Sequence, residues 1–311
     1  MTITAFLFPG QGSQYPGMGK ELSANFAVVR HTYEEADDAL GFRLSQMCFE
    51  GPEADLLLTE NTQPALLATS IAFLRLLQSE TGMEPAYLAG HSLGEYSALV
   101  AAGSLDFGDA LRTVRSRGRF MQEAVPVGTG AMAAVLGVEA DVVADICSEA
   151  AQGEIVVPAN FNCPGQIVIS GHAAAVNRAI AIAKAKGIRK VLLLPVSVPS
   201  HCALMSPAGD RLSVTLEAIP VQQLAIPVVS NVEAKPYTEA ERVRGLLVAQ
   251  ISSPVLWEMS VREMIDSGVV RFTEVGPGKV LSGLVKKIDK TIPTWNFDDL
   301  AGFRVFERET V

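Results

Sequence analysis

Basic residues are scarce in this 311-residue chain: 25 lysines and arginines face 34 acidic residues, for a net charge of −9. That balance argues against a general nucleic-acid binder, because no basic excess is available to neutralise phosphates. Any contact with an acidic partner has to be local. Charged residues make up only 19% of the chain and hydrophobic residues 49%, the composition of a globular, enzyme-like protein. Even so, no apolar run reaches transmembrane length. The longest, Ala65 to Leu77, is interrupted by Arg75 and reads as a buried helix. Met1 to Phe8 has no basic n-region and meets Pro9-Gly10 after a strand's length, so no signal peptide is expected. Cysteine is sparse as well. Cys48, Cys147, Cys163 and Cys202 are widely spaced with no C-x-x-C pair, which predicts free thiols in a reducing cytoplasm and no zinc site. Cys202 reads as a small apolar filler rather than a nucleophile.

Against these absences stands Gly90-His91-Ser92-Leu93-Gly94, a G-x-S-x-G pentapeptide between an apolar run, Ala86 to Ala89, and a helix-prone one, Glu95 to Ala102. This is the context of a nucleophile elbow, in which a serine at a tight strand-to-helix turn holds a strained backbone angle between small neighbours. The helix that follows directs its N-terminal N–H groups and dipole at the same point. The N–H of Leu93 is therefore placed to meet an oxyanion on a bound acyl group.

A serine needs a base, and the chain offers four histidines. His31 lies in a polar helical run, Arg30 to Ala39, and reads as exposed. His91, next to Ser92 on the turn, should point away from the serine and pack beneath the site. His172 ends the strand Ile167 to Ser170 among small residues, where a loop role is expected. His201 follows the apolar strand Val191 to Val198 and a Pro199-Ser200 turn, a strand-end loop of the kind that holds catalytic groups. Elimination points to a Ser92–His201 pair, although a strand-end histidine taken alone is more often structural.

Strands and helices alternate along the chain, which implies a mainly parallel sheet covered by helices. Strands are expected over residues 2 to 8 and at the elbow, with helices at roughly 20 to 40 and 64 to 79. Residues 129 to 196 read differently, as β-α-β-β-α-β: Met132 to Leu136, Ala140 to Ala151, Ile155 to Asn160, Gln166 to Ser170, Ala174 to Lys186 and Lys190 to Leu194. This is the ferredoxin-like order. The expected fold is thus α/β, a hydrolase-like parallel-sheet core built from residues 1–128 and 197–311 with an inserted ferredoxin-like subdomain at 129–196. Strands near 226 to 231 and 270 to 275, with a helix between, should rejoin the core. No repeat or low-complexity linker is evident.

Two further glycine-rich segments follow strands. Phe8-Pro9-Gly10-Gln11-Gly12-Ser13-Gln14 lacks both G-x-G-x-x-G spacing and a Walker lysine, so it is no nucleotide loop. It is instead placed to supply a second oxyanion donor, the N–H of Gln11. Gly276-Pro277-Gly278-Lys279 reads as a tight turn opening a helix.

Seven ordered segments resemble the malonyl-CoA:acyl-carrier-protein transacylases of fatty acid synthesis, the FabD type: Phe8 to Gln14, Thr62 to Leu66, Gly90 to Leu99, Arg117-Gly118 with Met121-Gln122, Asn160 to Asn162, Val198 to His201, and Glu274 to Leu281. The likeness covers nearly the whole chain and fades after about Lys290. It implies Ser92 as the acyl-accepting nucleophile, His201 as its base, and Gln11 and Leu93 as the oxyanion hole. It also implies that a backbone carbonyl at Gln250 orients the histidine and that Arg117 binds the malonyl carboxylate, a role that sequence alone does not separate from the neighbouring Arg112, Arg115 and Arg119.

The implied reaction is ping-pong acyl transfer from malonyl-CoA to holo acyl carrier protein, with the CoA thioester as substrate and no bound cofactor, metal, nucleic acid or membrane. Acidic carriers would need a basic patch, for which Lys184, Lys186, Arg189 and Lys190, or Lys286, Lys287 and Lys290, are candidates. Ser200 matches the fatty-acid type and favours malonyl over methylmalonyl. The alternatives are a trans-acting acyltransferase of a polyketide pathway, a serine esterase or thioesterase, and a non-catalytic carrier-binding scaffold.

Overall fold

The computed structural model describes residues 3–196 and 198–310. Expected element or domain limits at Met1, Thr2, Ser197 and Val311 lie outside the described residues. The chain begins with β1 (Thr4–Phe8), then α1 (Lys20–Asn25), α2 (Ala27–Leu40), α3 (Leu44–Glu50), α4 (Glu53–Leu56) and α5 (Thr59–Thr81). The elbow region follows as β2 (Tyr87–Gly90), α6 (Gly94–Ala101) and α7 (Phe107–Ala124). Next come β3 (Gly130–Leu136), α8 (Ala140–Ala151), β4 (Val156–Cys163), β5 (Gln166–His172), α9 (Ala173–Ala185) and β6 (Val191–Leu193). The remainder is α10 (Ser206–Glu217), β7 (Val228–Val229), β8 (Pro236–Tyr237), α11 (Ala240–Ser252), α12 (Trp257–Asp266), β9 (Arg271–Val275), α13 (Val280–Ile288), β10 (Thr294–Phe297) and α14 (Leu300–Thr310).

Six strands form the larger sheet in the order β10-β9-β1-β2-β7-β8. All pairings are parallel except the last, where β8 turns back along β7. The central strand β1 shows why its sequence is unbroken apolar. Side chains alternate between sheet faces, so Phe6 and Phe8 enter a core with α2, α5 and α7, while Ala5 and Leu7 enter a second core with Trp257, Val261 and Leu284. A strand covered on both faces has no side to give to water.

The smaller sheet is antiparallel throughout, in the order β4-β5-β3-β6. Alternation again divides its residues: Ala133, Val135, Ile167 and Ile169 pack under α8 and α9, while Met132, Ala134 and Val168 form a second apolar face on the other side. Strand β4 is stitched to the loop before α12, where the Phe161 N–H donates to Val255 O at 2.9 Å and the Val255 N–H donates to Ala159 O at 2.9 Å.

The α/β architecture with a parallel sheet is as expected, with local differences. The helix expected over 20 to 40 breaks at Phe26, whose extended backbone (φ −126°) separates α1 from α2. Between β7 and β9 lie an edge strand and two helices rather than one helix. The strand expected over Val191 to Val198 stops at Leu193. Beyond Lys290, β10 pairs with β9 and α14 packs Phe303 and Phe306 into the main core. No helix among the described residues is long and apolar enough to cross a membrane.

The turn from β2 into α6 accounts for the two glycines of the pentapeptide. A Cβ on Gly90 would lie 1.9 Å from the Gly94 carbonyl, and one on Gly94 would lie 2.1 Å from Phe8 O. Neither obstacle is a movable side chain. Gly90→Ala is therefore expected to destabilise the fold by about 3 kcal/mol or more, read from urea unfolding; a midpoint equal to that of the parent protein would contradict this packing.

Candidate active site

The carboxyl ends of β1 and β2 face the open apolar side of the smaller sheet, and a cavity of about 340 Å³ lies between them. Open parallel sheets commonly present their sites at this edge. Ser92 stands on the elbow with φ 51°, in the left-handed region that non-glycine residues seldom occupy. Its backbone is held there from two sides. The Ser92 N–H donates to Asn231 Oδ1 at 2.7 Å, and Gln250 Nε2 donates to Ser92 O at 2.9 Å. Asn231 completes the clamp by donating from Nδ2 to Gly90 O at 2.7 Å.

His201, also at positive φ (63°) and buried, places Nε2 2.8 Å from Ser92 Oγ and Nδ1 2.9 Å from the Gln250 carbonyl oxygen. A carbonyl only accepts, so Nδ1 carries the proton. The neutral ring then leaves Nε2 free to accept from the serine hydroxyl. Burial first, and the nearby Arg117 charge second, push the His201 pKa down to about 3.

Arg117 is 1% exposed, on α7. Its Nη1 donates to Gln63 Oε1 at 2.9 Å, and its Nη2 donates to Gln250 Oε1 at 3.1 Å and Ser92 Oγ at 3.3 Å. No carboxylate lies within ion-pair distance of it among the described residues, and the remaining face of the guanidinium has Tyr96 beside it, with the ring centroid 5.6 Å away. A buried guanidinium left so is poised for an anion from outside.

Gln11 and Leu93 both line the cavity beside Ser92, and among the described residues neither backbone N–H donates to a protein acceptor. All six residues expected at the site, Ser92, His201, Gln11, Leu93, Gln250 and Arg117, are thus brought together. The other wall is apolar, made by Met132, Ala134 and Val168 of the smaller sheet and by Leu194 and Val196 in the segment after β6. Ser200 also lines the cavity.

The remaining histidines separate. His31 is exposed on α2. His172 ends β5, where its Nδ1 accepts from the Ile155 N–H at 2.9 Å. His91 corrects the expectation that it packs beneath the site: it lines the cavity, with Nε2 2.9 Å from Asn162 Oδ1 and its ring 5.6 Å from that of Trp257. The positive φ of Ser92 turns the chain, so neighbours do not point to opposite faces as in a strand. All four cysteines are free and buried, Cys202 with its Sγ 3.2 Å from Pro199 O. No group of three or more metal-ligating side chains occurs among the described residues.

Four further contributors carried little signal in the sequence. Gln63 holds Arg117, Asn231 and the Gln250 amide hold Ser92, and Glu95 accepts from Gln250 Nε2 at 2.7 Å and from the Asn231 N–H at 3.2 Å. Glu95 left one clue, being the only charged residue in the otherwise uncharged run from Leu93 to Leu105.

Residues 5–295 match the family model of the acyl transferase domain. The chain is 53% identical over 292 residues to a malonyl CoA-acyl carrier protein transacylase of Escherichia coli K12, covering 94% of each chain. It is similar in structure to the malonyl-CoA:acyl carrier protein transacylase of Xanthomonas oryzae, with a TM-score of 0.97 at 48% identity, covering 99% of both chains. A malonyl-transacylase solved in complex with a type II PKS acyl-carrier protein is also similar, with a TM-score of 0.97 at 48% identity, covering 99% of this chain and 100% of that one.

Because His201 stays neutral far below the ordinary histidine range, modification of Ser92 by an uncharged sulfonyl fluoride should proceed at nearly constant rate from pH 6.5 down to about 5. A half-loss of rate centred near pH 6.5 would show that burial and Arg117 do not depress the ring.

Proposed function

Since the chain belongs to the acyl transferase family, we propose that it carries a malonyl group from malonyl-CoA to the phosphopantetheine thiol of acyl carrier protein, supplying fatty acid synthesis. The observation that carries this reading is the buried, ion-pair-free Arg117 set 3.3 Å from the nucleophile. A serine hydrolase has no need of a cation there, whereas a free carboxylate on the acyl group does.

The geometry supports the following steps. Ser92 Oγ attacks the thioester carbonyl while its proton passes to His201 Nε2. The N–H groups of Gln11 and Leu93 receive the oxyanion. Collapse breaks the C–S bond, and the departing CoA thiolate takes the proton from His201. The carrier's thiol then gives its proton to His201 and its sulfur attacks the serine ester; collapse breaks the ester C–O bond, and Ser92 Oγ takes the proton back from His201. Gln250 O supports the imidazolium with a neutral dipole only, a modest activation that suits a thioester, which is more reactive than an amide. The apolar wall of Met132, Val168, Leu194 and Val196 limits the water able to hydrolyse the ester. The chemistry needs no group beyond the CoA thioester, which arrives as substrate.

The order β4-β5-β3-β6 supports taking 129–196 as an inserted ferredoxin-like subdomain within a hydrolase-like domain formed by 1–128 and 197–311. Buried free thiols and these substrates support a cytoplasmic location.

Of the two basic clusters, the one on and after α13 is favoured for carrier docking. Leu281 and Leu284 of that helix line the cavity, and Lys287 Nζ reaches Gln166 Oε1, another lining residue, at 3.0 Å. In the other cluster, Lys186 is paired with Glu149. A polyketide carrier is the second reading, favoured by the likeness to a transacylase seen with a type II PKS carrier.

Intact mass after brief incubation with malonyl-CoA should show one malonyl adduct, absent in Ser92→Ala, that moves to holo-carrier on addition. Free malonate without an adduct would indicate a hydrolase, and comparing fatty-acid and polyketide carriers as acceptors separates the two pathways. Arg117→Ala should lower kcat/KM for malonyl-CoA roughly 100-fold or more while sparing acetyl-CoA; equal loss for both donors would remove the carboxylate role. Reversing Lys286 and Lys287 should raise the carrier KM and leave malonylation by CoA unchanged, an outcome that equal loss in both half-reactions would rule out.

A further inference from the structure

Glu95 is fully buried at the start of α6, one turn from Ser92. Nothing in the transfer steps uses it. Its Oε2 accepts from Gln250 Nε2 and the Asn231 N–H, while Oε1 is buried with no partner. The Gln250 amide spans the gap to Arg117, with Oε1 accepting from the guanidinium and Nε2 donating to the carboxylate. One amide dipole thus lies head to tail between a buried cation and a buried anion.

We propose that Glu95 is the counter-charge of Arg117 in the unloaded site, linked to it through the Gln250 amide, and that it takes one proton from solvent when a malonyl carboxylate occupies Arg117. The inference rests on the malonyl-transfer reading. Without substrate and above about pH 7, Arg117 and Glu95 balance. With the malonyl carboxylate bound, two anions share one guanidinium in a water-poor site, and one of them becomes the better proton acceptor.

Glu95 can take that proton without disturbing the network. Oε1 has no bond to lose, and Oε2 still accepts from Gln250 and Asn231. Burial already lifts its pKa to about 7, against the opposing pull of Gln250, Asn231 and Arg117. The other titratable groups facing it are Tyr96 on its own helix, Tyr237 on β8, and Glu233, which pairs with Arg242. Across the site stands His201. Burial raises both tyrosines and lowers His201 to about 3, so none of these three gains or loses charge near neutrality, and burial lowers His91 as well.

Glu95 is on this view a positioning residue: it sets the orientation of the Gln250 amide and hence of Arg117. The test is calorimetric binding of malonyl-CoA to Ser92→Ala, which binds without acylation, in buffers of different ionisation enthalpy, with CoA as reference. At pH 8 we expect close to one proton taken up per malonyl-CoA beyond that seen with CoA. Affinity for malonyl-CoA should fall toward about tenfold per pH unit above pH 7, while that for CoA does not follow. Adding Glu95→Gln, which keeps the shape and the acceptor, should abolish both differences.

Uptake that persists in the Glu95→Gln protein, or a malonyl-CoA affinity that is flat from pH 6.5 to 8.5 in Ser92→Ala, overturns the inference alone. Should Glu95→Gln not fold, the pH series on Ser92→Ala decides. Failure of malonyl-CoA to bind while CoA still does overturns the functional reading, and this inference with it.

Discussion

Gln250 makes the contacts on which the rest of the site depends. Its carbonyl fixes the tautomer of His201, and its side-chain amide meets Arg117, Glu95 and the Ser92 carbonyl. The residue is fully buried on α11, a helix that packs against α10 and contributes Leu247 and Ile251 to the main core. Away from water such bonds are stronger, and leaving one unmade is costlier. Ser92, His201 and Arg117 are therefore registered against one another by a single buried residue, well placed to keep two strained backbones, at Ser92 and His201, in position.

Two sheets then divide the work. The parallel sheet supplies everything that handles charge, from strand ends and the helices behind them. The antiparallel sheet supplies an apolar face whose own helices lie on its far side. Asn162 on β4, through its contact with His91, joins the two at the cavity's edge. Glu274, buried at the end of β9, receives the N–H groups of Leu281 and Ser282 at 3.0 and 2.7 Å and so anchors the start of α13, whose Leu281 and Leu284 close the cavity on a third side. Anions at a helix N-terminus suit its dipole.

What could be read from sequence was local. The elbow, each element of the βαββαβ run and the helix at Ala140 to Ala151 follow from spacing within a dozen or so residues, and the helix limits agree to the residue. The polar network was illegible because its partners lie far apart in the chain: Gln250 and Glu95 are separated by 155 residues, Asn231 and Ser92 by 139. Strand β7 falls within the strand expected near 226 to 231, whereas the two-residue β8 is too short to show alternation, and β10, half-buried over three of its four residues, shows none. His91 was misplaced for a different reason. Alternation was applied across a turn whose serine has left the strand conformation.

Separating the charged and apolar halves has a consequence for divergence within this architecture. Met132 and Val168 on their strands, and Leu194 just past β6, touch the cavity without sharing any of the hydrogen bonds around Gln250. Their sizes can drift, trading bulk among one another, while the reacting groups stay where they are. The shape of the acyl cavity on that side can then change without altering the bonds that tie Ser92, His201 and Arg117 to Gln250.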